Sequence, residues 1–219
     1  MENKVEITPF GHSCVLVDAT HDGQTTRILL DPGTLTVPLE PIEGLDAVLV
    51  THSHPDHIDP EQIRRLAADH EVPVYGDAAT SRVLTDAGLP EAVIVEEGEL
   101  DIAGMHVVVS KWQHEEIYFG VPLPTGYGFL MAGKVFAPGD AFAVPEFPVD
   151  VLLLPTGAPW MKLSEAIDYL RRVAPRVAIP VHDGGLAAPH RVMHWTLMEK
   201  FAPDGTTVRP LEPGQVFMA

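Results

Sequence analysis

The sequence predicts a single α/β domain with sheet inside and helices outside. Three observations predict it. Short apolar runs rich in β-branched residues recur along the 219 residues, helical patterns alternate with the later ones, and 46% of the chain is apolar, enough for a sizeable core. The 21 prolines and 18 glycines are spread along the chain rather than gathered in a linker. No repeat of fixed period and no low-complexity block divides residues 1–219, so one domain is expected.

Taken in order, the runs Val5–Thr8, Cys14–Asp18, Thr26–Leu30, Ala47–Thr51, Val72–Tyr75 and Ala92–Val95 read as strands. So do Met105–Lys111, Tyr127–Ala132, Val135–Ala137, Val151–Leu154 and Val177–Pro180. Pro60–His70 has the pattern of a helix, with proline near its start and Ile63, Leu66 and Ala67 on one face. Asp77–Ala87 stops before Gly88, as a helix with a glycine stop does. Ser164–Val173, with Ser164 as candidate N-cap, and Pro189–Phe201 complete the helices.

Charge narrows the partners. A formal net charge of −17 repels phosphate backbones and anionic headgroups, so nucleic acid and membrane surfaces are not expected to bind. A small-molecule substrate is the expected partner, and a homo-oligomer is compatible with the composition. The single cysteine, Cys14, excludes an internal disulfide framework and a Cys-rich zinc module. Inside an apolar strand it reads as a small core residue rather than a reactive thiol. The N-terminus MENKVEITPF lacks an apolar signal region and no run reaches membrane-span length, so a soluble cytoplasmic protein is expected.

The densest chemistry is THSHPDHID, residues 51–59, which follows the buried-strand run Asp46–Val50 and precedes the first helix. Ligand sites in α/β sheets lie beyond such strand ends. His52 and His54 are two apart and project from one side of an extended backbone. Pro55 bars a continuing ladder and bends the chain, so Asp56 and His57 aim elsewhere. Two ligand pairs in two directions are what two adjacent metal ions need. Any one of these residues alone also fits an exposed polar turn formed by Pro55 and Asp59.

H-x-H-x-D-H after a buried strand resembles the signature of the metallo-β-lactamase fold superfamily. That resemblance implies a four-layer αββα sandwich with metals at one edge of two sheets. It also implies further motifs in order, and the chain carries each of them. Asp31-Pro32-Gly33 follows a strand ahead of the signature, His114 follows Met105–Lys111, Gly139-Asp140 ends a hairpin, and His182 follows Val177–Val181. By resemblance, His52, His54 and His114 hold one ion, Asp56, His57 and His182 the other, and Asp140 bridges them. Asp31 buttresses the metal loop. Imidazoles and carboxylates without thiolate suit Zn²⁺, with Mn²⁺ or Fe²⁺ as alternatives. Two such ions roughly 3.5–4 Å apart activate a shared water, whose hydroxide attacks a carbonyl carbon or a phosphorus.

Other residues have weaker claims. Phe10-Gly11-His12-Ser13-Cys14 resembles a stretch of the small-chain branch that includes proteins similar to L-ascorbate-6-phosphate lactonase, which would put His12 at the border of the site. Asp183, beside His182, is a candidate to orient an imidazole of the site. His190 and His194 are four apart on the last helix, with no acidic residue between them as in H-E-x-x-H, and His190 is the nearer to the site in sequence. Trp112, Tyr118, Tyr127 and Trp160 are read as core or pocket wall, Glu115 and Glu116 as a solvated pair, and Asp59 as a helix-start residue.

Departures from sub-branches narrow the function. Asp rather than Cys at position 140 argues against antibiotic hydrolysis, and only 37 residues follow His182, too few for the C-terminal helical region of glyoxalase-type thioesterases and persulfide dioxygenases. His54 stands where the diiron flavoproteins have Glu. The expectation is a dinuclear metal-dependent hydrolase opening a lactone or ester of a small molecule, with Asp56 passing a proton to the leaving group and Asp140 between the ions. The alternatives are a phosphodiesterase with the same site, an iron-dependent thiol or persulfide dioxygenase, and a non-catalytic metal-binding scaffold.

Overall fold

The computed structural model describes residues 4–67 and 71–219. β1 (Lys4–Pro9), β2 (Val15–His21) and β3 (Gln24–Leu30) form an antiparallel meander. Asp22 and Gly23, both at positive φ, make the tight turn that matches the twist of the β2–β3 hairpin. β4 (Ala47–Leu49), β5 (Val74–Gly76) and β6 (Val93–Ile94) extend the sheet in parallel. Between them lie α1 (Pro60–Leu66) and α2 (Ala78–Asp86).

The second sheet repeats the plan. β7 (Gly98–Ile102), β8 (Met105–Gln113), β9 (Thr125–Met131) and β10 (Val135–Ala137) are antiparallel. β11 (Val151–Pro155), β12 (Val177–Val181) and β13 (Thr207–Val208) continue in parallel from β10. α3 (Leu163–Val173) and α4 (Ala188–Phe201) are the connections. β14 (Phe217–Met218) returns to pair with β1, so the sheet orders are β14-β1-β2-β3-β4-β5-β6 and β13-β12-β11-β10-β9-β8-β7.

Period-two alternation builds the layers. Ala47 and Leu49 of β4 face the core between the sheets, while Val48 and Val50 face the one under α1 and α2. On the other side Val151 and Leu153 of β11 point inward, and Leu152 and Leu154 meet Ala166, Tyr169 and Leu170 of α3. Three cores separate four layers, which is the αββα sandwich. Strands buried on both faces read as continuous apolar runs, as β4, β11 and β12 do.

The structure departs from the sequence expectations mainly at edges. β7, β13 and β14 are absent from the predicted strands. β7 is Gly-Glu-Leu-Asp-Ile, too polar to signal a strand, and it forms because β8 offers a full ladder. Of Ala92–Val95 only Val93–Ile94 pair. Ser164 lies inside α3 rather than capping it; Lys162 is the cap, and its backbone N–H donates to the Glu165 carboxylate at 2.7 Å. Asp59 starts α1 as expected, accepting from the Glu61 N–H at 3.0 Å, and the predicted extension over 68–70 lies outside the described residues. Among the described residues no helix is long and apolar enough to cross a membrane.

Cys14 is fully buried beneath the first sheet, and burial pushes its thiol well above the ordinary range. A thiol reagent at about pH 8 is expected to leave the native protein unlabelled and to label Cys14 only after denaturation. Fast labelling of native protein contradicts that placement.

Candidate metal centre

The chemistry gathers at one edge because strand ends converge there. Asp31 follows β3, residues 51–57 follow β4, His114 follows β8 directly, Asp140 follows β10 by a Pro-Gly turn, and His182 follows β12. Three non-glycine residues at this edge, His12, Asp31 and His182, adopt left-handed backbone with φ of 51°, 46° and 56°. Strain of this kind persists only where surrounding contacts hold it, and it clusters at functional sites.

Distances divide the side chains into two groups. Ligand-capable atoms of His52, His54, His114 and Asp140 lie within 4.8 Å of one another, and so do those of His12, Asp56, His57 and His182. Asp140 stands between the groups. Its Oδ1 is 3.2 Å from His57 Nε2, and its Oδ2 is 3.3 Å from His114 Nε2 and 3.1 Å from His182 Nε2. The Trp160 indole N–H donates to Asp140 Oδ2 at 2.8 Å.

The far nitrogens of the rings explain why the near ones converge. Asp31 accepts from the Thr51 amide and hydroxyl, each at 2.8 Å, and from His57 Nδ1 at 2.8 Å. The Thr51 hydroxyl, already donating to Asp31, faces His52 Nδ1 at 3.1 Å as an acceptor. His114 Nδ1 donates to the Glu115 carbonyl at 2.6 Å and His182 Nδ1 to the Gly157 carbonyl at 2.9 Å. Each bond keeps the proton on Nδ1 and turns the Nε2 lone pair inward.

The donor set fits a divalent cation. His57 Nε2, His114 Nε2 and Asp140 Oδ1 are buried without a hydrogen-bond partner, although His57 and Asp140 approach closely, and buried polar atoms rarely stay orphaned. A cation supplies the missing partner for all three. His52, His57, His114, Asp140 and His182 are buried, while His54 and Asp56 are half-buried, so solvent reaches the cluster on their side.

Electrostatics divides the histidines. Burial, reinforced by His57, lowers the His52 pKa well below the ordinary value, and burial with His114 lowers that of His54. Burial acts the same way on His57 and His182, but Asp140, joined at His57 by Asp31, outweighs it and raises both. Burial would raise the Asp140 carboxyl; His57 and His182 more than offset this and hold it well below the carboxylate range. At Asp56 the hydrogen bond from His12 and the neighbouring His57 and His182 overcome burial in the same direction.

All the residues named from the motifs meet at this edge, with two exceptions among the weaker candidates. Asp183 does not orient His182, because the Gly157 carbonyl takes that place; its carboxylate lies 4.0 Å from Arg191 Nε instead. His190 is exposed on the first turn of α4 and belongs to neither group, whereas His194 bonds the Thr156 carbonyl at 2.7 Å. His12 is in the site, 3.2 Å from Asp56. Trp112 and Tyr127 pack in the sandwich, Tyr118 is exposed, and Trp160 alone of the aromatic candidates reaches Asp140. Glu115 is no solvated residue: its carboxylate accepts from the Phe142 amide at 3.0 Å and its amide donates to the Asp140 carbonyl at 2.9 Å, tying the His114 and Asp140 loops. That tie has no signal in the sequence, because its partners are on a separate hairpin.

Residues 6–182 match the family described as the beta-lactamase superfamily domain. Protein Rv0786c of Mycobacterium tuberculosis is 37% identical over 219 residues, 97% of this chain and 100% of that protein. The UPF0173 metal-dependent hydrolase MJ1163 of Methanocaldococcus jannaschii is 26% identical over 190 residues, 80% of this chain and 83% of its own length. The structure of Igni18, a metallo hydrolase from Ignicoccus hospitalis, shares the fold with a TM-score of 0.67 at 23% identity, over 99% of this chain and 98% of that one. The match over 6–182, carried on the sandwich and its edge cluster, makes the chain a member of the metallo-β-lactamase superfamily.

Proposed function

We propose that the protein is a dinuclear metal-dependent hydrolase that opens a lactone or other ester of a small molecule. The observation that carries the reading is Asp140, a buried carboxylate shared between two groups of inward-facing imidazoles. His52, His54 and His114 would hold one ion and Asp56, His57 and His182 the other, with Asp140 common to both. Relatives named metal-dependent hydrolases support the class. When bound, such a pair of ions, most readily Zn²⁺, lowers the pKa of a shared water and stabilises charge developing on the attacked carbonyl. Asp31, Thr51, Gly157 and the Glu115 carbonyl keep the ring nitrogens oriented, so little reorganisation accompanies the reaction. Asp56, with 31% of its side chain exposed against 4% for Asp140, is the carboxylate placed to exchange a proton with a departing group.

A cleft of about 910 Å³ lies beside Trp160, bounded mostly by charged residues such as Glu115, Glu116, Asp168 and Arg172; it adjoins the cluster through Trp160, and none of the candidate ligands lines it. An apolar cavity of about 550 Å³ lies at the other end of the sheets, among the hairpin turns at 21–24, 103–106 and 132–133, and is remote from these groups. The strongly acidic chain disfavours a polyanionic substrate, which puts lactones ahead of phosphodiesters.

Metal analysis of the purified protein, with a panel of lactones, phosphodiesters and thioesters, tests the reading. Two equivalents of metal and lactone opening that disappears in His52→Ala are expected. Less than one equivalent, with activity intact in His52→Ala, overturns it. One iron with oxygen uptake on a thiol indicates the dioxygenase reading, and full metal loading without turnover indicates a scaffold.

A further inference from the structure

By distance His12 belongs with Asp56, His57 and His182, so it is a candidate fifth ligand of the second ion beside those three and the shared Asp140. We propose instead that His12 is a positioning residue for Asp56, held by the backbone as the tautomer that cannot bind metal; this rests on the two-ion reading above.

The polarity of its far nitrogen decides the matter. His57, His114 and His182 each place Nδ1 against an oxygen acceptor, which leaves Nε2 free to take a cation. His12 places Nδ1 against a donor, the Gly184 backbone N–H, at 3.2 Å. An amide N–H only donates, so Nδ1 must present its lone pair, and the neutral ring carries its hydrogen on Nε2. That Nε2 lies 3.2 Å from Asp56 Oδ2, where it donates.

The grip is built from the His182 loop. The His182 N–H donates to the His12 carbonyl at 2.9 Å, so amides two residues apart hold both the backbone and the ring of His12. A Cβ at position 184 would stand 3.1 Å from His12 Nδ1 and 3.2 Å from its Cβ, so glycine permits the approach. The side chain is 2 % exposed, and its ring centroid lies 4.0 Å from that of His182. One oxygen of Asp56 is thereby tied to the loop that carries His182, and the two candidate ligands are set relative to each other.

The test is spectroscopic and compositional. Long-range ¹H–¹⁵N correlation on histidine-labelled protein is expected to show the Nε2–H tautomer for His12 both metal-free and zinc-loaded. His12→Gln keeps an acceptor for Gly184 and a donor for Asp56, so it is expected to bind two equivalents of zinc with near wild-type affinity. His12→Ala is expected to bind the second equivalent about 10–100-fold more weakly. Loss of the Nε2 hydrogen on zinc loading, or uptake of one equivalent by His12→Gln, overturns the proposal alone. Wild-type protein that takes up no zinc overturns the hydrolase reading and the positioning role with it.

Discussion

Gly33→Ala is expected to disable the site and to destabilise the fold by about 3 kcal/mol or more. Gly33 lies in the Asp31-Pro32-Gly33 turn directly against the loop carrying Asp56 and His57. A Cβ there would stand 1.9 Å from the Asp56 carbonyl oxygen, 2.0 Å from its carbon and 2.5 Å from the His57 nitrogen. These are backbone atoms, so no change of rotamer relieves the clash. The loop would have to move, against the bonds that stitch it to the turn: Thr34 N–H to the Pro55 carbonyl at 2.8 Å, Asp59 N–H to the Pro32 carbonyl at 3.0 Å, and His57 Nδ1 to Asp31 at 2.8 Å. For a domain of this size the loss corresponds to a fall in Tm of roughly 6–12 °C. A thermal melt and metal analysis of the variant check both parts. A Tm within about 2 °C of wild type, with metal loading unchanged, would falsify the packing argument.

Asp140→Asn is expected to have the largest effect on chemistry, because it removes a charge at nearly constant shape. Metal uptake should fall below two equivalents, and turnover should drop by at least about 10²-fold, as when a preorganised electrostatic group is lost. The metal-free protein reports on the same carboxylate. Asp140 is lowered, so its stabilisation is present above the ordinary carboxylate pKa and is lost only as the pH falls through its depressed folded value. His57 is raised, so its contribution is complete below its ordinary pKa and is lost as the pH rises through its elevated folded value. The two overlap from about pH 4 to above about pH 6.5. Within that window the amide removes one of the two carboxylates facing the buried His57 imidazolium and leaves Asp31 at 2.8 Å as its partner, so the cost stays below the roughly 3–5 kcal/mol of breaking a buried pair outright. Denaturant unfolding of both metal-free proteins at about pH 5 and about pH 9 should show a gap that narrows at the higher pH. A gap independent of pH would mean that packing, not charge, accounts for the loss.

Much of this protein is determined by sequence acting locally. The apolar runs that became β4, β11 and β12 are buried on both faces, and that burial is visible as uninterrupted Val, Leu and Ile. The ligand-type residues follow such runs, and His52, His54, Asp56 and His57 fall within six positions, so their proximity needed no tertiary information. Local rules failed at β7, β13 and β14, which are held by neighbouring strands rather than by a pattern of their own.

Tertiary structure decided everything that depends on which loops meet at the edge. Gly33 matters because its turn lies against residues 56–57, Trp160 because its indole crosses to Asp140, and His12 because Gly184, 172 residues away, donates to its ring. Sequence alone thus determined which side chains are the candidate ligands. Only the packed sandwich decided their polarity, because a histidine's metal-facing nitrogen is chosen by whether its other nitrogen meets a donor or an acceptor.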